Sequence, residues 1–332
     1  MTIAVPVDFA DDTLAAEVAE DLAVVEASLR DDSALGGDEM FAEISRHMMA
    51  AGGKRFRAML VLLAARFGDS RDKRVIPAAV AIELTHLASL FHDDVMDEAV
   101  IRRGHPSANA RYGNSVAILA GDYLFARASR ILSDLGAEAI RIQAETFGRL
   151  CDGQLAETIG PRPGEDTLDH YMRVIDGKTG SLIATSGRFG AMFSGAPEDV
   201  IDLVADASMR IGIAWQLSDD VLDIASTSAE SGKEQGIDLR QGVHSLPVLY
   251  ALRGTAPENA RLRELLSGAD LSDPRLQAEA LSLLRSSPAL DEARSTVREW
   301  ASGARDLVGR LPEVPARGAF ESLCDFVITR TA

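Results

Sequence analysis

Residues 88–99 read ASLFHDDVMDEA and residues 214–225 read AWQLSDDVLDIA, an apolar lead-in and a D-D-x-x-D core repeated 126 positions apart, from Asp93 to Asp219. With 30 Asp among 332 residues, chance supplies about 0.25 copies of that core, so the second copy carries the information. On a helix, positions i and i+4 lie about 40° apart and i+1 falls in the same sector. Asp93, Asp94 and Asp97 therefore share one helix face, and so do Asp219, Asp220 and Asp223. Each triplet follows an apolar run, Leu84, Leu87, Leu90 and Phe91 in one case and Ile211, Ile213, Trp215 and Leu217 in the other. Each helix thus enters a core, where three unpaired carboxylates would repel one another and resist burial. One isolated triplet reads as a solvated acidic face; two on core helices call for cations. Oxygen donors without cysteine select hard ions, and Mg²⁺ completes its shell with waters and phosphate oxygens. The two triplets read as facing carboxylate banks of a Mg²⁺–diphosphate site.

Outward from these segments, apolar residues recur at three and four positions almost everywhere, punctuated by Gly and Pro, with almost no strand-like alternation. The fold class expected is all-α. Helices are predicted over 11–30, with Asp11, Asp12 and Thr13 as cap candidates, then 37–51, 54–67, 75–98, 113–135, 137–158, 167–177, 179–194 and 198–225. Shorter helices follow from 244 onward. Loops are expected at 101–109, 159–167 and 226–238, none long enough to separate independent domains. A single domain over 1–332 is expected, with its motif-bearing core at about 40–250 and a helical, chemically silent part at 255–332.

If a diphosphate binds, basic side chains must supply further charge. Lys54, Arg55 and Arg57 follow Gly52-Gly53, where backbone can approach an anion ahead of a helix start. Arg102 and Arg103 follow Asp97 by five and six positions, and Lys178-Thr179, Lys233 and Arg240 lie in or beside loops. The arginine fork suits phosphate oxygens. His86 lies two turns before Asp93, placed either to donate to a phosphate or to serve as a core histidine. Glu83 and His86 also spell E-x-x-H, but no second copy accompanies it, and a di-iron bundle needs two.

Together GGKRFR, HDDVMDEAVIRRGHPS, the Gly121-Asp122 pair, KTGSL, QLSDDVLD and GKEQGIDLRQG, in this order, resemble the trans-isoprenyl diphosphate synthases of the polyprenyl synthetase family. The resemblance implies a helical bundle around a deep cavity, a homodimer, and Mg²⁺ ions, three per site with Mn²⁺ as a substitute. It implies that Asp93, Asp94, Asp97 and Asp219 hold metal, supported by Asp220 and Asp223, and that Lys178 joins the catalytic set. Carried over by position, Lys54, Arg57, His86 and Arg103 would hold isopentenyl diphosphate, and Arg102, Lys178, Thr179, Gln216 and Lys233 the allylic diphosphate. The chemistry implied is ionisation of the allylic C–O bond, attack by the isopentenyl double bond, and loss of a proton to the departing diphosphate, with no side-chain nucleophile. One departure is Val243 in GVHSLP, where many relatives carry lysine; His244 or Arg240 are the compensating candidates. A class I terpene cyclase usually has N-D-x-x-S-x-x-x-E as its second motif, and a non-catalytic subunit of a heteromeric synthase typically loses one motif; this chain keeps both D-D-x-x-D copies.

Helical phase puts Ser89, Thr85 and Ile82 within about 80° of Asp93, with Ala88 flanking. Short-chain family members place aromatic residues four or five positions before the first Asp. Ala88, Ser89 and Thr85 are small, which resembles the medium to long-chain pattern, with Phe91 and Phe125 as floor or core candidates and products beyond farnesyl length. Such a product leaves poorly into water, so release at a membrane or to a partner is expected. The remaining composition agrees. Lys+Arg 34 against Asp+Glu 51 gives −17, which disfavours nucleic-acid and anionic-membrane binding. Two cysteines, Cys151 and Cys324, form no disulfide framework or zinc spacing, the N-terminus shows no secretory signal, and the longest apolar runs, such as 58–65, fall short of a membrane span. A cytoplasmic location is expected.

Overall fold

The computed structural model describes residues 9–34, 43–44, 53, 55–225 and 235–331, and it is 79% helical. In chain order the helices are α1 (Asp12–Ala34), α2 (Phe56–Ala64), α3 (Val75–Met96), α4 (Ala108–Tyr112), α5 (Asn114–Leu135), α6 (Ala137–Ile159), α7 (Thr167–Ile175) and α8 (Ser181–Phe193). There follow α9 (Glu198–Ala225), α10 (Ile237–Arg240), α11 (Leu246–Arg253), α12 (Ala260–Gly268), α13 (Pro274–Arg285), α14 (Pro288–Val308) and α15 (Pro315–Thr329). The all-α expectation holds. Asp11 is the cap of α1, its Oδ1 accepting from the Leu14 amide at 2.9 Å. The helix expected at 37–51 lies outside the described residues except for 43–44, which are helical, and 226–234 of the loop expected at 226–238 also lies outside them. Two local features depart from expectation. The segment expected as a loop at 101–109 holds a hairpin, β1 (Ile101–Arg102) against β2 (His105–Pro106). Between α7 and α8 the chain does not break but winds through a π-turn, Asp176–Gly180.

The contacts divide the chain into two compact units that alternate along the sequence. One unit comprises Met1–Gly148, Leu182–Ser208 and Val308–Ser322; the other comprises Arg149–Ser181, Met209–Leu307 and Leu323–Ala332.

In the first unit α3 is the axis, with α1, α2 and α5 packed on it. Its buried residues run all round the helix, from Val75 and Ala78 through Leu84 to Phe91 and Asp94. Helix α3 is long and apolar enough to cross a bilayer, with a mean hydropathy of 1.4, which the short apolar runs in the sequence did not foreshadow; 72% of that window is buried inside the protein, as befits a core helix. Two glycines let helices approach closely. A Cβ at Gly121 of α5 would sit 2.4 Å from His92 Nε2 and 3.1 Å from the Ala88 carbonyl of α3, and one at Gly190 of α8 would sit 2.1 Å from the Val61 carbonyl of α2.

In the second unit, Ile213, Ala214, Leu217, Val221 and Ile224 of α9 are buried in one cluster with Leu246, Val248, Ala293, Val297, Ala301 and Val327. Each fully buried Val, Leu or Ile side chain among them contributes about 1.5–3 kcal/mol, so the α9 segment that carries the second triplet is firmly anchored. Gly153 of α6 and Gly177 of the π-turn touch backbone to backbone: a Cβ on Gly153 would meet the Lys178 amide nitrogen at 2.5 Å.

Gly190→Ala should lower stability by about 1–3 kcal/mol, because the helix backbone, not a flexible side chain, occupies the space. An unchanged midpoint in urea unfolding would contradict the close packing of α8 on α2.

Candidate functional site

The first aspartate triplet ends α3. Asp93 is half-buried, Asp94 is fully buried and Asp97 is the exposed C-cap, its amide donating to the Asp93 carbonyl at 2.8 Å. Asp94 therefore lies deeper than the other two carboxylates of the face that the spacing predicted. Its Oδ1 accepts from Arg102 Nε at 2.7 Å, and its Oδ2 is buried without a hydrogen-bond partner. Arg102 can reach it because β1 and β2 turn back through Arg103 and Gly104, at φ 52° and 80°. Positive φ at both central residues is the signature of a type I′ turn, whose twist matches the strands. Ser107 ties the base of this hairpin, its amide donating to the Val100 carbonyl at 3.0 Å and its hydroxyl to the Ala99 carbonyl.

A cationic cluster lies alongside in the same unit. Arg55, in a left-handed conformation (φ 47°) ahead of α2, is buried, donating to Glu26 at 2.7 Å and standing 3.7 Å from Glu83. Glu83 in turn accepts from the Ala58 amide at 3.0 Å, so it locks the start of α2 to α3. Arg57 has a buried Nε without a partner; burial pulls its pKa down, Glu83 and Asp93 oppose that, and Arg103 adds to it. Burial, then Arg55 and Arg102, likewise lower Arg103, whose guanidinium lies close against Gly53. His86 is driven well below its ordinary 6.5 by burial and by Arg57, Arg103, Arg55 and Arg102, so it is neutral at pH 7. Four arginines act on one histidine and are opposed by Glu26, Glu83, Asp93 and Asp94, and the buried Arg57 Nε remains as a donor that an anion could accept from.

Thr85, Ala88 and Ser89 are all buried on α3. Thr85 donates to the Ala81 carbonyl at 2.8 Å and accepts from Gln143 of α6 at 2.6 Å; Ser89 donates to the His86 carbonyl at 2.8 Å. Phe91 is fully buried core, while Phe125 is half-buried against Phe147, ring centroids 4.0 Å apart.

The second triplet lies on α9 in the other unit. Asp219 is exposed, Asp220 buried and Asp223 half-buried. Asp220 accepts from the Tyr171 hydroxyl, from the Leu246 amide at 3.1 Å and from Gln216 at 3.3 Å. Burial nevertheless raises its pKa to about 6, with Asp223 adding to the rise. Asp223 accepts from the amides of Ile237 and Asp238, both at 3.3 Å, at the start of α10. Asp238 is pushed up to about 7 by burial and by Asp223 and Asp220. Lys178 and Thr179 sit half-buried on the π-turn, with Lys178 paired to Glu157 of α6. Val243 is 46% exposed and lines a shallow groove with Arg240, His244, Leu266 and Asp270.

Lys54 and Lys233 lie outside the described residues. Arg57, His86, Arg103 and Asp93 are brought together in the first unit, and Gln216, Asp220 and Asp223 in the second. Arg102 is engaged by Asp94 and Gln216 by Asp220. Four residues escaped the sequence reading as site members: Glu83, Tyr171, Asp238 and Arg330. Asp238 stands inside the GIDLRQG motif and was the one with a signal. Arg330 pairs with Asp219 across 111 positions, so the C-terminal part is not chemically silent.

Among the described residues no three carboxylate, histidine or cysteine groups converge on one point where an ion could be held. The donor chemistry nonetheless suits a hard dication. Asp94 Oδ2 is a buried, unpaired carboxylate oxygen, and Mg²⁺ commonly takes one or two carboxylates and fills its shell with water and phosphate.

Residues 38–284 match the family model described as polyprenyl synthetase. The chain is 46% identical over 330 residues to a nonaprenyl diphosphate synthase of Mycobacterium tuberculosis, covering 99% of this chain and 98% of that protein. It is 45% identical over 293 residues to a dimethylallyltranstransferase of the same organism, covering 88% and 89%. A crystal structure of geranylgeranyl pyrophosphate synthase from Corynebacterium glutamicum, complexed with calcium and isoprenyl diphosphate, superposes with a TM-score of 0.88 at 42% identity, covering 98% of this chain and 100% of that one.

The unfolded imidazole takes a proton near 6.5 that the folded His86 refuses, so acid below about 6.5 favours the unfolded chain and this residue's contribution to stability falls as pH drops. A side-chain NMR titration should find His86 still neutral at pH 6.5, where an ordinary imidazole is half protonated, with its pKa rising when inorganic diphosphate is added. An ordinary titration near 6.5, indifferent to diphosphate, would sink the anion-pocket assignment.

Proposed function

Because the chain belongs to the polyprenyl synthetase family and is a polyprenyl diphosphate synthase, we propose that it condenses an allylic diphosphate with isopentenyl diphosphate to give an all-trans product longer than farnesyl. The observation that carries the substrate assignment is the cluster of Arg57, His86 and Arg103, with the buried, unpaired Arg57 Nε. These residues, with Lys54, hold isopentenyl diphosphate. A neutral His86 donates one N–H to a phosphate oxygen without contributing a charge that burial would penalise. Both aspartate triplets serve the allylic diphosphate together with Lys178, Thr179, Gln216, Lys233 and Arg102. Mg²⁺, three ions in this reading, would be held by Asp93, Asp94, Asp97 and Asp219 with Asp220 and Asp223, and when bound it supplies Lewis-acid charge that draws off the diphosphate leaving group. The lysine and arginine side chains hold that leaving group in place and orient the two substrates, which lowers the barrier by preorganisation and proximity. The proton released in the last step needs no side-chain base if the departing diphosphate takes it.

The two units act as one polyprenyl synthetase domain in this reading, since a single family model spans residues from both. Small, buried Ala88 and Ser89 and the long-chain relative favour a product beyond geranylgeranyl. A homodimer acting in the cytoplasm, with transient membrane contact on product release, completes the proposal. Exposed Ile118 and Leu119 of α5 and Ile140 of α6 supply apolar surface for association.

Purified protein incubated with Mg²⁺, labelled isopentenyl diphosphate and each allylic starter should yield a product ladder ending beyond geranylgeranyl length, and Ser89→Phe should shorten it. A ladder unchanged by Ser89→Phe would remove α3 from control of chain length, and no incorporation with any starter would overturn the synthase assignment. Light scattering should give twice the chain mass, and lipid vesicles should raise steady-state turnover; a monomer, or turnover indifferent to lipid, would remove that element of the proposal.

A further inference from the structure

Asp219 is served differently from its two neighbours. Asp220 and Asp223 are held by backbone amides and by Tyr171 and Gln216, groups fixed in the core of the unit. Asp219, whose side chain is 50% exposed, is paired with the guanidinium of Arg330, just past the end of α15. That guanidinium lies over the Trp215 ring, 4.6 Å from its centroid, and 5.9 Å from the Phe326 ring. Trp215 and Phe326 stack on each other at 5.6 Å. The chain end is itself fastened: the Arg330 amide donates to the Phe326 carbonyl at 3.1 Å, and Arg294 Nε of α14 donates to the Thr331 carbonyl at 2.9 Å. Burial draws the Arg330 pKa down to about 10, which leaves it cationic at neutral pH.

We propose that Arg330 is an internal counter-cation of the second triplet, a latch on Asp219 that the metal–diphosphate complex must displace. The inference rests on the assignment of Asp219 as a metal ligand. A carboxylate paired to a guanidinium is not free to coordinate a dication, so only the unlatched fraction of the protein binds, and the apparent affinity is reduced by that fraction. The aromatic shelf makes the latch reversible. Cation–π attraction to Trp215 holds the guanidinium close by when the carboxylate is taken, so release moves the charge without unfolding the chain end. The device keeps a partly exposed carboxylate compensated before substrate arrives and sets a threshold for metal loading.

The chain has two tryptophans, Trp215 and Trp300, so Trp300→Phe leaves Trp215 as the sole indole reporter. In that background, titration with Mg²⁺ plus inorganic diphosphate should change Trp215 emission as Arg330 moves, and the change should vanish in Arg330→Gln. Calorimetry on the otherwise unaltered chain should show Mg²⁺–diphosphate affinity rising about three- to tenfold in Arg330→Gln and staying near the original in Arg330→Lys, which keeps the charge. Binding heat with silent Trp215 emission, or equal affinities in the Gln variant and the unaltered chain, would overturn the latch while leaving the site assignment standing. No binding heat in the unaltered chain would overturn the site assignment and the latch with it.

Discussion

A carboxylate inside a protein persists only where positive charge or hydrogen bonds replace the water it has lost, and the fully buried Asp94 makes that constraint concrete. Its compensation comes from Arg102, which hangs on a six-residue hairpin whose turn places Arg103 in the left-handed region. Charge compensation at the end of α3 thus sets the path of the chain for the next ten residues. The same logic runs backward through Glu83, which joins the start of α2 to α3 and balances Arg55. Three non-glycine residues with positive φ, Arg55, Glu98 and Arg103, flank this one region of the first unit. Backbone strain of that kind persists where the surroundings over-determine it, and here ion pairs and hydrogen bonds do so.

The two units answer the same electrostatic problem by different means. The first surrounds its carboxylates with arginines, whose charge adds to burial in keeping His86 neutral. The second pairs the exposed Asp219 with a guanidinium and holds Asp220 and Asp223 by hydrogen bonds from Tyr171, Gln216 and backbone amides, with burial shifting Asp220 and Asp238 up to about 6 and about 7. A dication would reverse that last balance, since it rewards the ionised forms that burial disfavours.

Much of the fold was legible because the signal was periodic and local. The helices at 75–98, 113–135, 137–158 and 198–225 stand within two residues of their expected ends, and Gly136 separates the second from the third. The hairpin was not legible: two-residue strands carry no alternation, and an Arg-Gly pair is a poor advertisement for a type I′ turn. The site was legible where it is written as a motif. The acidic triplets and the clustered arginines could be found by spacing alone, whereas Tyr171, Glu83 and Arg330 enter through tertiary contacts 49, 25 and 111 positions long, at which sequence order is silent. Asp94 shows the limit from the other side. Helical phase placed it with Asp93 and Asp97, yet phase says nothing of depth, and Asp94 alone of the three is fully buried, against Arg102 of the hairpin.

The π-turn at Asp176–Gly180 carries one residue more than an α-helical turn would need. That surplus residue sets the rotational phase of everything after it. Were it deleted, the winding would close to an uninterrupted α-helix from Thr167 to Phe193, and each side chain of α8 would swing by about 100° around the helix axis. Leu182, Ile183 and Phe189 would leave the core, and Gly190 would no longer present its bare backbone to Val61. The lysine and threonine of the turn directly precede α8, so their phase and its packing are set together. In this segment, one insertion or deletion alters the placement of the turn's side chains and the core registry at the same moment, so the two can change only together.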